Sequence, residues 1–302
     1  MTPTTLKLDQ VQPSGDHPGL DQVGDHPVPN TVRLVCISDT HGKHWDLQIP
    51  TGNKYYITHS YHPVLYYSGD ILIHSGDFTN TGTYQEVEDF DLWLESLAHP
   101  YKLVVPGNHD SVMDPAVRKM ASQGALDQVY HKEETERWKD LEKTLLKNAE
   151  VLINRGINIL GLNIFGCPNT MFNGQVAGTT HKKYGYAFGC SHENKIDKQL
   201  DKLSCQSYDI LVTHSPPLGI ADISQTKNRG SQSLREAVMR LNPALHVFGH
   251  VHAYGGNIFK LRDCEENRNK ISSTGCTEKW WATLKTTFVN AASLKGKNPE
   301  EN

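Results

Sequence analysis

The sequence predicts an α/β fold, in which short apolar strands alternate with amphipathic helices. Three features indicate this class: five apolar runs typical of buried strands, helical apolar stripes between them, and a chain of 302 residues, long enough for a large core. Hydrophobic residues make up 37% of the chain and charged residues 21%, which is ordinary for a globular protein. The length alone is compatible with one domain or with two.

The two ends of the chain differ in composition from the part between them. Residues 1–30 contain a degenerate repeat, LDQVQPSGDHPG followed by LDQVGDHPVP, which is rich in Pro, Gly and Asp. Such a composition offers little apolar surface to offset the entropy lost on ordering. We therefore predict a flexible N-terminal tail over 1–30, one globular domain over 31–292, and a flexible C-terminal tail over 293–302.

Start signals and apolar stripes predict the helices of this domain. A serine, threonine or aspartate followed by a glutamate or a proline marks three helix starts. These pairs are Thr83 with Glu86, Asp114 with Pro115, and Ser233 with Glu236. Two other helices are predicted from apolar stripes alone: Trp138, Leu141 and Leu145 form one stripe, and Ile196, Leu200 and Leu203 form the other.

Each of the five apolar runs ends in polar residues of the kinds that bind metal ions. The runs are RLVCISDTH, DILIHSGD, KLVVPGNHD, DILVTHSPP and LHVFGHVH. Their polar ends supply Asp39, His41, Asp77, Asn108, His109, Asp110, His214, His250 and His252. In sheets covered by helices, functional residues gather beyond the carboxyl ends of the strands, so we expect one shared site.

These residue types suit particular metals. Carboxylates, imidazoles and an amide oxygen, without a thiolate, favour divalent ions such as Mn, Fe or Zn over copper(I) or an iron–sulfur cluster. Two ions need about eight ligand positions, and a carboxylate can bridge them. Asp77 is the candidate bridge, because Gly76 before it lets the backbone approach closely. The sequence does not choose among Mn, Fe, Zn, Co and Mg.

The ordered motifs D-x-H, G-D, G-N-H-D, H and G-H-x-H resemble the calcineurin-like metallophosphoesterase superfamily from Val32 to Asn290. Within it, VRLVCISDTHGKH, GDILIHSGDFT, NILGLNIFGCP and LHVFGHVH are similar to the brain-type metallophosphoesterase-domain-containing proteins, a class III cyclic-nucleotide-phosphodiesterase-like group. This resemblance implies a four-layer αββα sandwich of two mixed β-sheets flanked by helices.

The resemblance also implies two ligand sets and two further roles. One ion would be held by Asp39, His41, Asp77 and His252. The other would be held by Asp77, Asn108, His214 and His250. With Asn108, His109 would meet the phosphate or leaving group of the substrate, and Asp110 would orient the imidazole of His109 as its catalytic partner.

A dinuclear site of this kind predicts hydrolysis of a phosphoester. Two divalent ions (Mn²⁺, Fe²⁺/³⁺ or Zn²⁺) would activate a bridging water for in-line attack on phosphorus. We expect a phosphodiesterase acting on a small phosphodiester, with a cyclic nucleotide as a candidate. The alternatives are a phosphomonoesterase acting on a nucleotide or phosphoprotein, and an interaction scaffold without catalysis.

Charge and apolar patterning predict the partners and the compartment. The net charge of −4 argues against a long nucleic acid as a partner. No apolar run approaches the roughly eighteen residues needed to cross a bilayer, and no secretory leader is evident, so we predict a cytoplasmic protein with no membrane partner. The six cysteines lack C-x-x-C spacing and are expected to be mostly reduced, with one or two disulfides as the alternative.

Some polar residues near the motifs have more than one interpretation. His74 and His246 alternate with apolar neighbours within strand runs, which favours a core role over metal binding, and Asp70 is expected to be a turn residue. Residues 50–69 contain five tyrosines, and a packed hairpin is favoured over stacking on a base. Asp222 and Arg229 could contact a phosphate or ribose, or lie in a solvated loop.

Overall fold

The computed structural model describes the chain in thirteen ranges. These are 4–9, 21–22, 31–49, 55–59, 62–66, 70–126, 130–139, 146–171, 187–190, 200, 207–224, 227–260 and 284–293.

Four α-helices and three 3₁₀ helices lie in these ranges. The α-helices are α1 (Tyr84–Ser96), α2 (Pro115–Ser122), α3 (Lys132–Lys139) and α4 (Gln232–Leu241). The 3₁₀ helices are His44–Asp46, Ser111–Met113 and His252–Tyr254.

Eighteen strands lie in the same ranges. The first nine are β1 (Thr4–Asp9), β2 (Asp21–Gln22), β3 (Thr31–Ile37), β4 (Tyr55–His59), β5 (His62–Tyr66), β6 (Ile71–His74), β7 (Tyr101–Val104), β8 (Glu150–Val151) and β9 (Arg155–Ile159). The others are β10 (Leu162–Cys167), β11 (Thr170–Met171), β12 (Gly189–Cys190), β13 (Ile210–Thr213), β14 (Ile223–Ser224), β15 (Lys227–Asn228), β16 (Leu245–Phe248), β17 (Asn257–Lys260) and β18 (Thr287–Asn290).

Two mixed sheets form the centre of the fold. The first has the strand order β1-β3-β6-β7-β8, in which β1 is antiparallel to β3 and the other pairs are parallel. The second has the order β17-β18-β16-β13-β10-β9-β2, with antiparallel pairs at β17-β18 and β9-β10. The predicted pair of mixed sheets is confirmed.

Three apolar clusters show how the layers stack. The middle cluster joins the two sheets, since Leu34 and Cys36 of β3 lie in it with Ile210 of β13. The intervening residues of β3, Val35 and Ile37, lie instead in a cluster with α1. A third cluster packs the outer face of the second sheet against α4. Because strand side chains alternate between faces, this division gives four layers, and the predicted αββα sandwich is confirmed.

The two sheets also meet by main-chain contacts at the edge where the polar motifs lie. Ser38, directly after β3, pairs in parallel with Ala292, two residues after the end of β18. The amide of Ser293 donates to the carbonyl of Ser38 over 2.7 Å. The carboxyl ends of strands from both sheets are therefore joined at one place.

The helix starts agree with the sequence in two cases and differ in one. Thr83 and Glu86 form the predicted capping box of α1, and Asp114 caps α2 with Pro115 in its first turn. The predicted start of α4 at Ser233 is wrong: Ser231 is the cap and accepts from the amide of Leu234. Both serines suit the role, and contacts of the preceding loop select the earlier one, since the amide of Ser231 donates to the carbonyl of Pro216.

The predicted tail over residues 1–30 contains two strands of the central sheets. Strand β1 pairs along its whole length with β3, and β2 pairs in parallel with β9. The prediction of a tail is therefore wrong for residues 4–9 and 21–22. Edge pairing requires main-chain hydrogen bonds more than bulky apolar side chains, so composition is a poor guide to it.

Other predictions fall partly outside the described residues. Strands β4 and β5 form the expected antiparallel hairpin within 50–69. Leu141, Leu145, Ile196, Leu203 and the tail over 294–302 lie outside the described ranges. Cys36, Cys167 and Cys190 are free thiols. None of the helices within the described ranges has the length and apolar character needed to span a bilayer.

Candidate metal centre

Five loops at the carboxyl ends of β3, β6, β7, β13 and β16 converge on one site. Four of the residues they carry have left-handed backbones, with φ of 53° at Asp39, 43° at His41, 55° at Asp77 and 67° at His250. This conformation is strained for residues other than glycine and often occurs at functional sites. The first two loops hold each other, because the amides of Asp39 and His41 donate to the carbonyls of Gly76 and Asp77 over 2.8 and 3.0 Å.

The outer cluster consists of Asp39, His41 and His252, whose ligand atoms lie within 4.8 Å of one another. Nε2 of His252 is 3.1 Å from Oδ1 of Asp39 and 3.4 Å from Nε2 of His41. Asp39 is fully buried, and both its carboxylate oxygens accept from the amide of His250. A carboxylate and two imidazoles face one point, as the ligands of a divalent ion do.

The inner cluster consists of Asp77, His214 and His250, also within 4.8 Å of one another. Nε2 of His214 is 3.3 Å from Oδ2 of Asp77 and 3.0 Å from Oδ1 of Asn108. Nδ1 of His214 donates to the carbonyl of Ser75 over 2.9 Å, since a carbonyl can only accept.

The tautomer of His214 tests whether the inner cluster fits a metal ion. With one proton on Nδ1, Nε2 faces the oxygens of Asp77 and Asn108, and it would present a lone pair to them when a metal ion replaces its own proton. Three electron-rich atoms that face one another need a cation or a proton between them. The donor set therefore fits a divalent ion with nitrogen and oxygen ligands.

Asp77 adjoins both clusters. Its Oδ2 lies 3.3 Å from Nε2 of His214 and 3.9 Å from Nε2 of His41. A third group of candidate ligands, His41, Asp77 and His109, shares His41 with the outer cluster and Asp77 with the inner cluster. The structure thus brings together all the residues of the two predicted ligand sets, with Asp77 in the place expected of a bridge.

Burial and close charges shift the pKa values at the site. Burial would raise the pKa of Asp77, but His214 and other nearby histidines hold it well below its ordinary value. Burial would lower the pKa of His214, and the Asp77 carboxylate reverses this and raises it to about 9. Burial lowers the pKa of His250 to about 4. Strong shifts of opposite sign in one cleft are typical of functional sites.

Two glycines let the loops approach the ligands. A side chain on Gly107 would collide with the carboxylate of Asp77 and the ring of His214. A side chain on Gly249 would collide with Asp39 and Ser38. The glycines of G-N-H-D and G-H-x-H are therefore needed for space rather than for backbone flexibility.

The predicted contact between Asp110 and the imidazole of His109 is not formed in the described structure. Both oxygens of Asp110 accept from other groups: the amides of Gly107 and Asp77 over 2.7 and 2.9 Å, and the amide and hydroxyl of Thr79 over 3.0 and 2.8 Å. Burial and the Asp77 charge raise the pKa of Asp110 to about 7, and the donated hydrogen bonds oppose this rise. Asp110 thus joins two ligand loops, and the prediction that it orients His109 is wrong.

His109 lies at the open side of the site. Its Nδ1 is 2.9 Å from the carbonyl of Asn80, and its amide donates to Oδ1 of Asp77 over 2.8 Å. Its ring packs edge-on against the ring of His41, with centroids 4.8 Å apart. The group that orients His109 is thus a main-chain carbonyl, as for His214, and main-chain carbonyls leave no signal in a sequence.

The remaining histidines near the motifs have structural partners. His74 and His246 are fully buried in β6 and β16, and their Nε2 atoms bond the hydroxyls of Thr40 and Thr213 over 3.1 and 2.9 Å. The prediction that both are core residues is confirmed. His44, three residues after His41, is buried, and its Nε2 lies 2.9 Å from the carboxylate of Asp89 in α1.

The other polar candidates have main-chain partners. Asp70 acts as the expected turn residue, because its carboxylate accepts from the amide of Arg33 over 2.7 Å. Asp222 and Arg229 lie in the loop between β13 and α4, where the amide of Arg229 donates to the carbonyl of Asp222 over 2.7 Å. Burial raises the pKa of the Asp222 carboxyl.

Comparison with known proteins identifies a family to which the chain belongs. The family model for calcineurin-like phosphoesterases matches residues 32–254. The chain is 32% identical over 235 residues to metallophosphoesterase domain-containing protein 1 of Homo sapiens, which covers 75% of this chain and 63% of that protein. The chain thus spans less than two thirds of the length of this human relative.

Two proteins of Caenorhabditis elegans are similar to a comparable extent. UPF0046 protein K07C11.7 is 28% identical over 264 residues, covering 83% of this chain and 75% of that protein. UPF0046 protein C25E10.12 is 33% identical over 247 residues, covering 77% of this chain and 73% of that protein.

Proposed function

Because the chain belongs to the calcineurin-like phosphoesterase family, we propose that it is a metal-dependent phosphoester hydrolase and, more specifically, a phosphodiesterase. The proposed substrate is a small phosphodiester, with a cyclic nucleotide as one candidate.

The position of Asp77 between the two ligand clusters carries this proposal. A carboxylate oxygen that faces His214 on one side and His41 on the other is suited to bridge two ions. The outer cluster with Asp77 would hold one ion, and the inner cluster with Asn108 would hold the other. Two ions bound in this way supply an activated water and neutralise charge on the phosphoryl group.

The protein groups around the ions have separate roles in the proposed reaction. When both of its ring nitrogens are protonated, His109 at the open side would donate the Nε2 proton to the departing alkoxide, while the Nδ1 proton stays on the carbonyl of Asn80. Asp110 joins the loops that carry Asp77 and Gly107, because its carboxylate accepts hydrogen bonds from the amides of both residues. Main-chain and side-chain contacts thus set the positions of the reacting groups before substrate binds.

The charges around the site support a diester over a monoester. The main charged neighbours that shift the pKa values of Asp39, Asp77 and His41 are histidines and aspartates, and no lysine or arginine is among them in the described residues. A phosphomonoester carries close to two negative charges at neutral pH, whereas a diester carries one. With no lysine or arginine among these described neighbours, the singly charged group is the better match.

Hydrolysis of two chromogenic esters side by side tests the proposal. Bis-p-nitrophenyl phosphate and p-nitrophenyl phosphate are assayed with Mn²⁺ and again after chelation. We expect metal-dependent cleavage of the diester in preference to the monoester. Asp77→Asn is the control, and it should lose the activity because the bridging carboxylate is gone.

Each other outcome selects a different function. Preference for the monoester would replace the phosphodiesterase with a phosphomonoesterase. No cleavage of either ester by protein with bound metal would contradict hydrolysis of simple esters and favour a non-catalytic scaffold. Success with the diester leads to assays of cyclic nucleotides.

A further inference from the structure

One peptide group, between Asn80 and Thr81, links a carboxylate to the imidazole of His109. The carbonyl of this peptide accepts from Nδ1 of His109 over 2.9 Å. The amide of the same peptide donates to the carboxylate of Glu86, with distances of 3.1 and 3.2 Å to its two oxygens. The carboxylate and the imidazole therefore bind the two ends of a single amide dipole.

Glu86 makes more contacts than a capping box requires. The box needs the amide of Thr83, which donates to Oε2 of Glu86 over 3.1 Å. Glu86 also accepts from the amide of Asn80 over 2.9 Å and from the hydroxyl of Thr81 over 2.6 Å. Asn80 and Thr81 precede the cap residue, so these additional hydrogen bonds hold the loop rather than the helix.

The loop that Glu86 holds is joined directly to the loop of His109. The hydroxyl oxygen of Thr79 lies 3.0 Å from the carbonyl oxygen of His109, and the amide of Val112 donates to the carbonyl of Gly82 over 3.2 Å. A Cβ on Gly82 would lie 2.6 Å from the carbonyl oxygen of His109, so the two loops are in close contact. Movement of residues 79–82 would therefore displace His109.

The charge of Glu86 strengthens the contact with His109. Partial burial opposes ionisation, but the hydrogen bonds from Thr81, Thr83 and Asn80 hold the pKa of Glu86 below its ordinary value. An ionised carboxylate at the amide end polarises the peptide, which makes its carbonyl a stronger acceptor. A stronger acceptor keeps a proton on Nδ1 of His109, so that Nε2 is the nitrogen that faces the reaction and carries the second proton when the ring acts as an acid.

We propose that Glu86 is a positioning residue for His109 and acts through the Asn80–Thr81 peptide group. It fixes the tautomer and the orientation of the imidazole, so that Nε2 meets the leaving group. The effect on turnover rests on the proposed hydrolase function, whereas the effect on the tautomer does not.

Two variants separate this role from helix capping. Glu86→Gln keeps the shape of the side chain but removes the charge and places amide protons against the donors. Thr83→Ala removes the cap hydroxyl and keeps the contacts of Glu86 with Asn80 and Thr81. Both variants weaken the start of α1, and only the first changes the peptide group that binds His109.

The first measurement is nitrogen-15 NMR of the imidazoles, in metal-free and zinc-loaded protein, with His109→Ala to assign the signal. We expect the wild type and Thr83→Ala to show His109 protonated on Nδ1. Glu86→Gln should show a mixture of tautomers and faster exchange of the Nδ1 proton with solvent. An unchanged His109 signal in Glu86→Gln, or the same change in Thr83→Ala, would overturn the proposal.

The second measurement compares phosphodiesters with good and poor leaving groups. For an alkyl leaving group, Glu86→Gln should lower kcat by about ten- to a hundred-fold, with KM and metal content unchanged. For p-nitrophenolate, which needs no proton, the loss should be much smaller. Equal losses on both esters would show a merely structural role. If the wild type hydrolyses neither ester, the proposed function fails, and the NMR result still decides the role of Glu86.

Discussion

The inner and outer clusters of the metal centre differ in how far they are shielded from solvent. In the inner cluster, the side chains of His214 and Asp77 are 0% and 3% exposed. In the outer cluster, the side chains of His41 and His252 are 12% and 29% exposed. His214 of the inner cluster is thus closed off from solvent, whereas both histidines of the outer cluster are open to it. The contrast applies to these histidines, since Asp39 of the outer cluster is buried and His250 of the inner cluster is partly exposed.

The contacts that position the histidines follow the same division. Both carboxylates accept from main-chain amides, Asp77 from that of His109 and Asp39 from that of His250, and His214 is held by the carbonyl of Ser75. The contacts of His252 with Asp39 and of His41 with His252 are made between candidate ligands themselves. An ion in the inner cluster therefore meets a preformed set of ligands, while an ion in the outer cluster must order part of its own site.

The largest expected effect comes from removing the group that joins the two clusters. Asp77→Asn should lose both ions and lower hydrolysis by at least about a thousand-fold, because the metals supply several kcal/mol of transition-state stabilisation. Metal content by mass spectrometry and the rate of diester cleavage measure the two losses.

Asp70→Asn is the matched control for this change, since Asp70 also follows a glycine but only binds the amide of Arg33. It should keep both ions and the activity. Retention of both ions by Asp77→Asn would show that the clusters are independent.

His109→Ala should lower turnover by about a hundred-fold or more and leave both ions in place. The reason is that His109 acts on the substrate from the open side, and its ring is not in the inner or outer cluster. Measurements of kcat beside metal content test this, with the exposed His131→Ala as control. Parallel loss of metal would assign His109 to ligation instead.

A pair of variants sharpens the difference between the clusters. His252→Ala should lower the affinity for the ion of the outer cluster by about ten- to a hundred-fold and leave the folding stability of the metal-free protein nearly unchanged. His214→Ala should lower the affinity for the ion of the inner cluster. It should also destabilise the metal-free protein by about 3 kcal/mol, because it leaves Asp77 buried without its partner.

Metal titration and urea unfolding in the presence of a chelator measure the two quantities. Equal destabilisation by His252→Ala and His214→Ala would remove the distinction between inner and outer clusters.

The smallest effect concerns a histidine that lies outside both clusters. Burial lowers the pKa of His246 to about 3, so the unfolded chain, with a histidine pKa of about 6.5, binds the proton more tightly. The contribution of neutral His246 to the free energy of unfolding is therefore present above pH 6.5 and decreases as the pH falls. Between pH 7 and pH 5 the loss amounts to about 2 kcal/mol.

Urea unfolding of metal-free protein at both pH values measures this loss. In His246→Gln, whose side chain can still bond Thr213, the free energy of unfolding should differ less between pH 7 and pH 5, by that amount. An unchanged difference would mean that the pKa of His246 is not lower in the folded protein than in the unfolded chain.

Much of the fold and of the site could be predicted because the residues that carry them have local patterns. The five strands end at the predicted motifs, and the capping box of Thr83 and Glu86 is formed. The failures involve groups whose partners are distant in sequence or in the main chain. Strand β1 was missed because edge pairing has little composition signal, and Asp110 was assigned to His109 because they are neighbours in the chain.

The sequence by itself determined the ligand types, their order and the strands that carry them, because apolar periodicity and side-chain chemistry are properties of short segments. Only the tertiary structure decided which histidines are shielded and which group orients each imidazole. The carbonyls of Ser75 and Asn80 hold His214 and His109, and every residue has such a carbonyl. Their roles depend on where the folded backbone places them, which no residue type encodes.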